Sequence, residues 1–285
     1  VIRWPPDAIS FSASEGERLR SSSSVMAVSA NGGTPIPIEL PVASSTSTGD
    51  VAWSSDGSRL AFVAGRPYHP GAYAGGGDLF VMRADGTHLK RLTSGASFSS
   101  PSWSPDSSEI VAVRNQGTEL IVLRATGGGL RVISSRRGYY QVPAWSPDGR
   151  WIAVQSAPAA SLDVESLYLL RPDGSQLHRI PGSSLSEGYP AWSPDGARLA
   201  YREGERVWVM NADGTDRTQL THCHLPCVAD FAPAWSPDGR RIAFTRQEAG
   251  GGATRIYEVD LRTGRVHSLT PDLRYAGSPS YRPSS

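Results

Sequence analysis

His222, Cys223, His224 and Cys227 fall together as His-Cys-His-Leu-Pro-Cys. Cys-x3-Cys with two flanking imidazoles offers the thiolate and nitrogen donors that tetrahedral zinc takes. The same spacing can close a small disulfide loop. The chain has only two cysteines, and both stand here. The disulfide Cys223–Cys227 is therefore the expected state, ahead of a metal held by His222, Cys223, His224 and Cys227. No other stretch spells out a reaction. There is no His-Glu-x-x-His, no Gly-x-Ser-x-Gly elbow, no P-loop and no EF-hand loop. Gly75-Gly76-Gly77 and Gly250-Gly251-Gly252 open no helix and read as loops rather than phosphate cradles. No catalytic residue and no cofactor are expected.

Carboxylates recur in a fixed setting. Trp53-Ser54-Ser55-Asp56-Gly57, Trp103-Ser104-Pro105-Asp106, Trp145-Ser146-Pro147-Asp148-Gly149, Trp192-Ser193-Pro194-Asp195-Gly196 and Trp235-Ser236-Pro237-Asp238-Gly239 are near-copies. Trp4-Pro5-Pro6-Asp7 is a weaker copy, and Pro279-Ser280-Tyr281 closes the series. In Ser-Pro-Asp-Gly, proline presets φ for a type I turn, Asp suits the next position, and Gly tolerates the left-handed one. These Asp residues read as turn formers, not ligands or acids. One Trp per repeat at a fixed strand position reads as packing between repeats.

Elements must position any site, and here they are short. From Trp4 to Tyr281 the repeated aromatic recurs every 42 to 50 residues, the period of propeller blades. Within each period come apolar runs such as Leu60–Val63 and Leu79–Met82, then a second Asp-Gly turn such as Asp85-Gly86, then Leu-Thr. Runs that short, bounded by turns, are strands. Each repeat is four strands, A to D, with the Trp on A. The fold class is all-β: a six-bladed β-propeller of four-stranded antiparallel blades. A ring buries both faces of every blade and leaves short edges. The expected division is one domain, 1–285, with repeats at about 1–48, 49–98, 99–140, 141–187, 188–230 and 231–278 and a closing strand at 279–283. Seven A-type segments accompany six sets of B to D. Either the last A strand closes the ring against the first repeat, or the N-terminal segment does less than its motif suggests; a seventh, truncated blade is a weaker option.

Trp-Ser-Pro-Asp-Gly, Leu-Ala-Phe, Leu-Phe-Val-Met, Ala-Asp-Gly-Thr and Leu-Thr together resemble the PD40, or WD40-like, repeat of the TolB-like propeller family. The resemblance covers nearly the whole chain and implies six blades. It also implies an exported bacterial protein, periplasmic or extracellular. The repeat is similar to that of the propellers capping prolyl-oligopeptidase-type proteases, and the wider group includes metal-dependent oligogalacturonate lyases. Fold follows from the family more firmly than function.

Composition narrows the partners. Lys and Arg number 28 against 27 Asp and Glu, a net charge of +1, which argues against nucleic acid. Apolar runs are far shorter than the roughly 18 residues of a spanning helix. Val1 reads as the start of a mature or trimmed chain. In an antiparallel blade the B–C loops and D-to-A links share one face, and loops on a rigid scaffold commonly carry function. The expected ligand face holds Tyr68, His69, Arg137, Tyr140, Glu187, Tyr189, Asp230 and Tyr275. The first reading is a monomeric, non-catalytic binding or scaffold propeller for a protein, peptide or glycan. The alternatives are a metal-dependent lyase or hydrolase using His69, His222, His224 or Asp230, and the gating propeller of a protease.

Overall fold

The second strand of a repeat is apolar along its whole length because both its faces are covered. Leu60, Ala61, Phe62, Val63 and Ala64 are all buried. Their side chains alternate: Leu60, Phe62 and Ala64 pack with Val25, Ala27 and Ile38 on one side, while Ala61 and Val63 pack with Phe98, Ile110 and Ala112 on the other. A period of two on a doubly covered strand produces this split. The core is thus six separate apolar layers, each between adjacent blades.

The computed structural model describes residues 2–5, 7–13, 24–42, 47–65, 77–134, 138–158, 165–182, 184, 186–250 and 252–283. They form six four-stranded antiparallel blades. Blade 2 runs outward from the central channel as Ser47–Trp53, Arg59–Gly65, Asp78–Arg83 and Lys90–Arg91. Blades 3 to 6 repeat that order from inner strands Phe98–Trp103, Gly138–Trp145, Glu187–Trp192 and Cys227–Trp235. Blade 1 is built from both ends of the chain. Its outer three strands are Ala8–Ala13, Ser24–Ser29 and Ile36–Ile38, and its inner strand is Ala276–Tyr281. Ile9 stands opposite Tyr281 across that seam. Ring closure therefore falls to the C-terminal strand. Trp4 lies outside any strand; its indole N–H donates to Ala84 O at 2.6 Å, and its ring meets Trp53 edge-on at 4.5 Å. Among the described residues no helix is long and apolar enough to cross a membrane.

The repeated Trp joins blades. Trp103, Trp192 and Trp235 donate their indole N–H to Ala52 O, Ala144 O and Ala191 O at 3.0, 3.0 and 3.1 Å. Each acceptor is the residue just before the Trp of the preceding blade. Burying the ring while pairing its one polar atom satisfies both halves of the indole.

The repeated Asp closes the turn beside it. Ser104 Oγ donates to Asp106 Oδ1 at 2.6 Å and accepts from Glu109 N at 2.9 Å, and Ser108 N donates to the same carboxylate oxygen at 3.0 Å. The Ser–Asp bond recurs at Ser54–Asp56, Ser146–Asp148, Ser193–Asp195 and Ser236–Asp238. At Asp106 and Asp195 the hydroxyl and backbone hydrogen bonds hold the carboxyl below its ordinary value. At Asp56, Asp148 and Asp238 partial burial is the largest influence and pushes upward, yet the hydrogen bonds together outweigh it. A carboxyl lowered on folding adds stability above its unfolded pKa and loses it as pH falls through the folded one. The stability these turns contribute is expected to stay level from neutral pH to about pH 5 and to fall once pH passes below about 4, the unfolded carboxylate value, read as the melting-temperature gap between wild type and Asp106→Asn. A gap that widens on acidification through that range would contradict the turn assignment.

Candidate functional site

The inner strands are not regular. Each carries a bulge three residues before its Trp or Tyr, seen as a register shift against the second strand. The bulged residues are Asp50, Ser100, Val142, Tyr189, Ala232 and Ser278, all with φ between 45° and 56°. A β-branched residue such as Val142 rarely takes positive φ, so its presence in the series shows the fold imposing the conformation. In five of the six blades proline follows directly, as Pro101, Pro143, Pro190, Pro233 and Pro279. Proline has no N–H for the ladder, so the inner strand is broken where it occurs.

A bulge re-aims its side chain, and all six bulged residues line one cavity of about 660 Å³ in the channel. Trp53, Trp103, Tyr139, Tyr140 and Tyr281 contribute aromatic surface to it, and Ser99, Ser102, Gln116, Gln141 and Ser280 contribute polar groups. Tyr139 packs against Gly117 so closely that no Cβ would fit there. Among the described residues the wall holds no Lys, Arg, His or Cys, and one carboxylate, Asp50.

Asp50 Oδ2 accepts the N–H of Ser100, the bulged residue of the next blade, at 2.9 Å. Two other bulges are capped by neutral groups: Gln155 Oε1 takes Tyr189 N–H at 3.2 Å, and Thr245 Oγ1 takes Ser278 N–H at 3.1 Å. Burial raises the Asp50 carboxyl above its ordinary value, and the Ser100 N–H offsets part of that. Tyr189 is likewise pushed upward, mainly by burial.

The residues expected on the ligand face separate into three groups. Tyr189 lies in the cavity wall, with the Arg202 guanidinium 5.6 Å from its ring centre. Tyr275 is half-buried beside the Arg274 guanidinium. Tyr140, 1% exposed, touches the cavity but packs with Val113, Trp145 and Val154 between blades 3 and 4. Glu187 and Asp230 are fully buried. Glu187 Oε1 pairs with Arg217 at 2.6 Å and accepts Ser184 N–H, while Oε2 has no partner among the described residues. Asp230 takes both prongs of Arg246, at 2.7 and 2.8 Å. These two acids brace the face from beneath. Tyr68, His69 and Arg137 lie outside the described residues.

The Cys223–Cys227 pair is a disulfide, with Cα atoms 5.2 Å apart. Both cysteines are buried, while His222, His224 and Leu225 project outward. Asp230 lies near the sulfurs, but its carboxylate is engaged by Arg246. That arrangement favours a stapled loop over a metal centre.

Sequence reading passed over Asp50. It is the one charged residue at the position three before the repeated aromatic, where the other blades have Ser, Val, Tyr, Ala and Ser. The proline that follows in the other blades was the available signal, because it marks where the inner strand must break.

Comparison with known proteins agrees with this geometry. Residues 98–224 match the TolB beta propeller domain, and residues 24–138 match the lipoprotein LpqB beta-propeller domain. The Tol-Pal system protein TolB of Anaeromyxobacter dehalogenans strain 2CP-C is 32% identical over 117 residues, which is 38% of this chain and 25% of that protein. The match thus spans about a quarter of that curated relative. The crystal structure of TolB from Acinetobacter baumannii superposes with a TM-score of 0.74 at 16% identity, over 98% of this chain and 67% of that one. An oligogalacturonate lyase in complex with manganese superposes with a TM-score of 0.58 at 14% identity, over 94% of this chain and 74% of that one. At such identities both structures speak to fold alone. The chain is a six-bladed β-propeller, and a stretch just short of half its length is similar to the TolB beta propeller domain.

Proposed function

We propose that this propeller is a non-catalytic binding module of an exported protein, taking a protein or peptide at the channel mouth and the loop face around it. The observation that carries the reading is the cavity: about 660 Å³, within the size range of ligand pockets. Its wall offers aromatic surface and scattered polar groups, and no histidine, lysine or cysteine among the described residues. Tyr189 and Tyr275 would meet the ligand. Placement in the periplasm or outside the cell is supported by the Cys223–Cys227 disulfide, a bond that persists in oxidising compartments.

Selection of a random peptide library on the immobilised protein tests this. Peptides enriched on the wild type are expected to bind Tyr139→Ala/Tyr189→Ala at least about tenfold more weakly, as when central aromatic anchors are truncated. Equal binding by that variant would move the site elsewhere. No enrichment at all, with glycans also failing to bind, would remove the binding reading. Turnover of oligogalacturonate would replace it with the lyase.

A further inference from the structure

Asp50 carries more than its structural task requires. That task is to accept the N–H of a bulged residue, and Gln155 and Thr245 do the same for two other bulges without a charge. Placing a carboxylate in a confined cavity is unfavourable unless something compensates it. Among the described residues no cationic side chain lines the cavity, and no protein donor reaches Asp50 Oδ1. The side chain is half-buried, so that oxygen can be approached from the channel.

We infer that Asp50 receives a primary ammonium on an aliphatic stem, as in a lysine side chain of the bound peptide; this rests on the channel-mouth reading above. Three features select that group. A confined carboxyl with one oxygen unpaired and no counter-charge beside it is best stabilised as a carboxylate by an incoming cation. The aromatic rings of Tyr139 and Tyr189 in the same wall suit the stem and can add cation–π attraction. The third feature is geometric. A guanidinium prefers both oxygens of a carboxylate in a two-pronged pair, and here Oδ2 is already held by Ser100. An ammonium is a compact charge with three donors. It can use Oδ1 alone and give its other hydrogens to neighbouring hydroxyls such as Ser99, Ser100 or Ser278.

The test uses three capped pentapeptides that differ only at the central residue: lysine, norleucine or arginine. Each is titrated into the full chain and followed by NMR chemical shifts. The lysine peptide is expected to bind at least about tenfold more tightly than the norleucine peptide, the lower end for a close interfacial charge pair. Arginine should fall between them. Asp50→Asn keeps an acceptor for Ser100 N–H, so it should melt with the wild type while losing the preference for lysine. Equal binding of lysine and norleucine peptides, or a preference that survives in Asp50→Asn, overturns the inference. So does arginine binding more tightly than lysine. If Asp50→Asn fails to fold, the lysine–norleucine comparison on the wild-type protein still decides. Library-selected peptides that bind Asp50→Asn as well as wild type would sink only the ammonium site, whereas failure of every peptide would sink the channel-mouth reading with it.

Discussion

Tyr281→Ala is expected to destabilise the protein by about 3–5 kcal/mol, the range for truncating a buried aromatic. Tyr281 stands where the other inner strands have Trp, on the one strand that joins the two ends of the chain. Its ring is 7% exposed. Its hydroxyl donates to Glu258 Oε1, a carboxylate on blade 6 that is itself buried, with Arg241 at 3.6 Å and His267 at 3.8 Å. Burial, and then the Glu258 charge, push the phenol upward, so it remains a donor at all working pH values. The substitution removes ring area and also strands part of a buried charge. Tyr281→Phe separates the two effects. It keeps the ring and should cost about 1–3 kcal/mol, the penalty for an unsatisfied buried acceptor. Chemical denaturation with an unchanged slope is the measurement. A Tyr281→Ala midpoint equal to wild type would mean that the seam between Ala276–Tyr281 and Ala8–Ala13 does not hold the ring.

Asp230→Ala should cost a similar amount, about 3–5 kcal/mol, because it leaves a largely buried guanidinium without its partner. Arg246 is gripped at both prongs by Asp230, whose hydrogen bonds and charge raise the guanidinium further above its ordinary value despite burial. The guanidinium also stands 4.7 Å from the Tyr257 ring centre. Replacing both partners with apolar residues should recover much of the loss, since the charges leave together. A double-mutant cycle with Arg246→Met checks this. Additive losses would argue that Asp230 acts elsewhere, for instance on a ligand, as its place ahead of the repeated Trp235 had suggested.

The local code was strong in this chain. The Ser-Pro-Asp-Gly turns, the apolar second strands and the aromatic once per blade are all short-range patterns, and six-fold repetition made each visible many times over. Four-stranded blades follow from them because turn chemistry and side-chain alternation act within a few residues. The structure added what depends on closing the circle. Whether Trp4 or Tyr281 supplies the first blade's inner strand is a contest between segments more than 270 residues apart, which no local pattern can decide. Glu187 and Asp230 looked like ligand-face acids because they stand in the links just ahead of the repeated Trp; only packing shows Arg217, just before strand Thr218–Gln219, and Arg246, on strand Arg241–Glu248, reaching them.

His222, Cys223, His224 and Cys227, the most chemical-looking cluster in the sequence, owe that look to spacing alone. Spacing permits zinc or a disulfide, and the backbone brings the two sulfurs together. Asp50 is the reverse case. Nothing in Gly49-Asp50-Val51 marks it, and it gains meaning only when six bulges turn one residue per blade toward a common axis. A ring converts positions far apart in the chain into neighbours around a cavity, so what that cavity can hold is a property of the closed circle rather than of any one repeat.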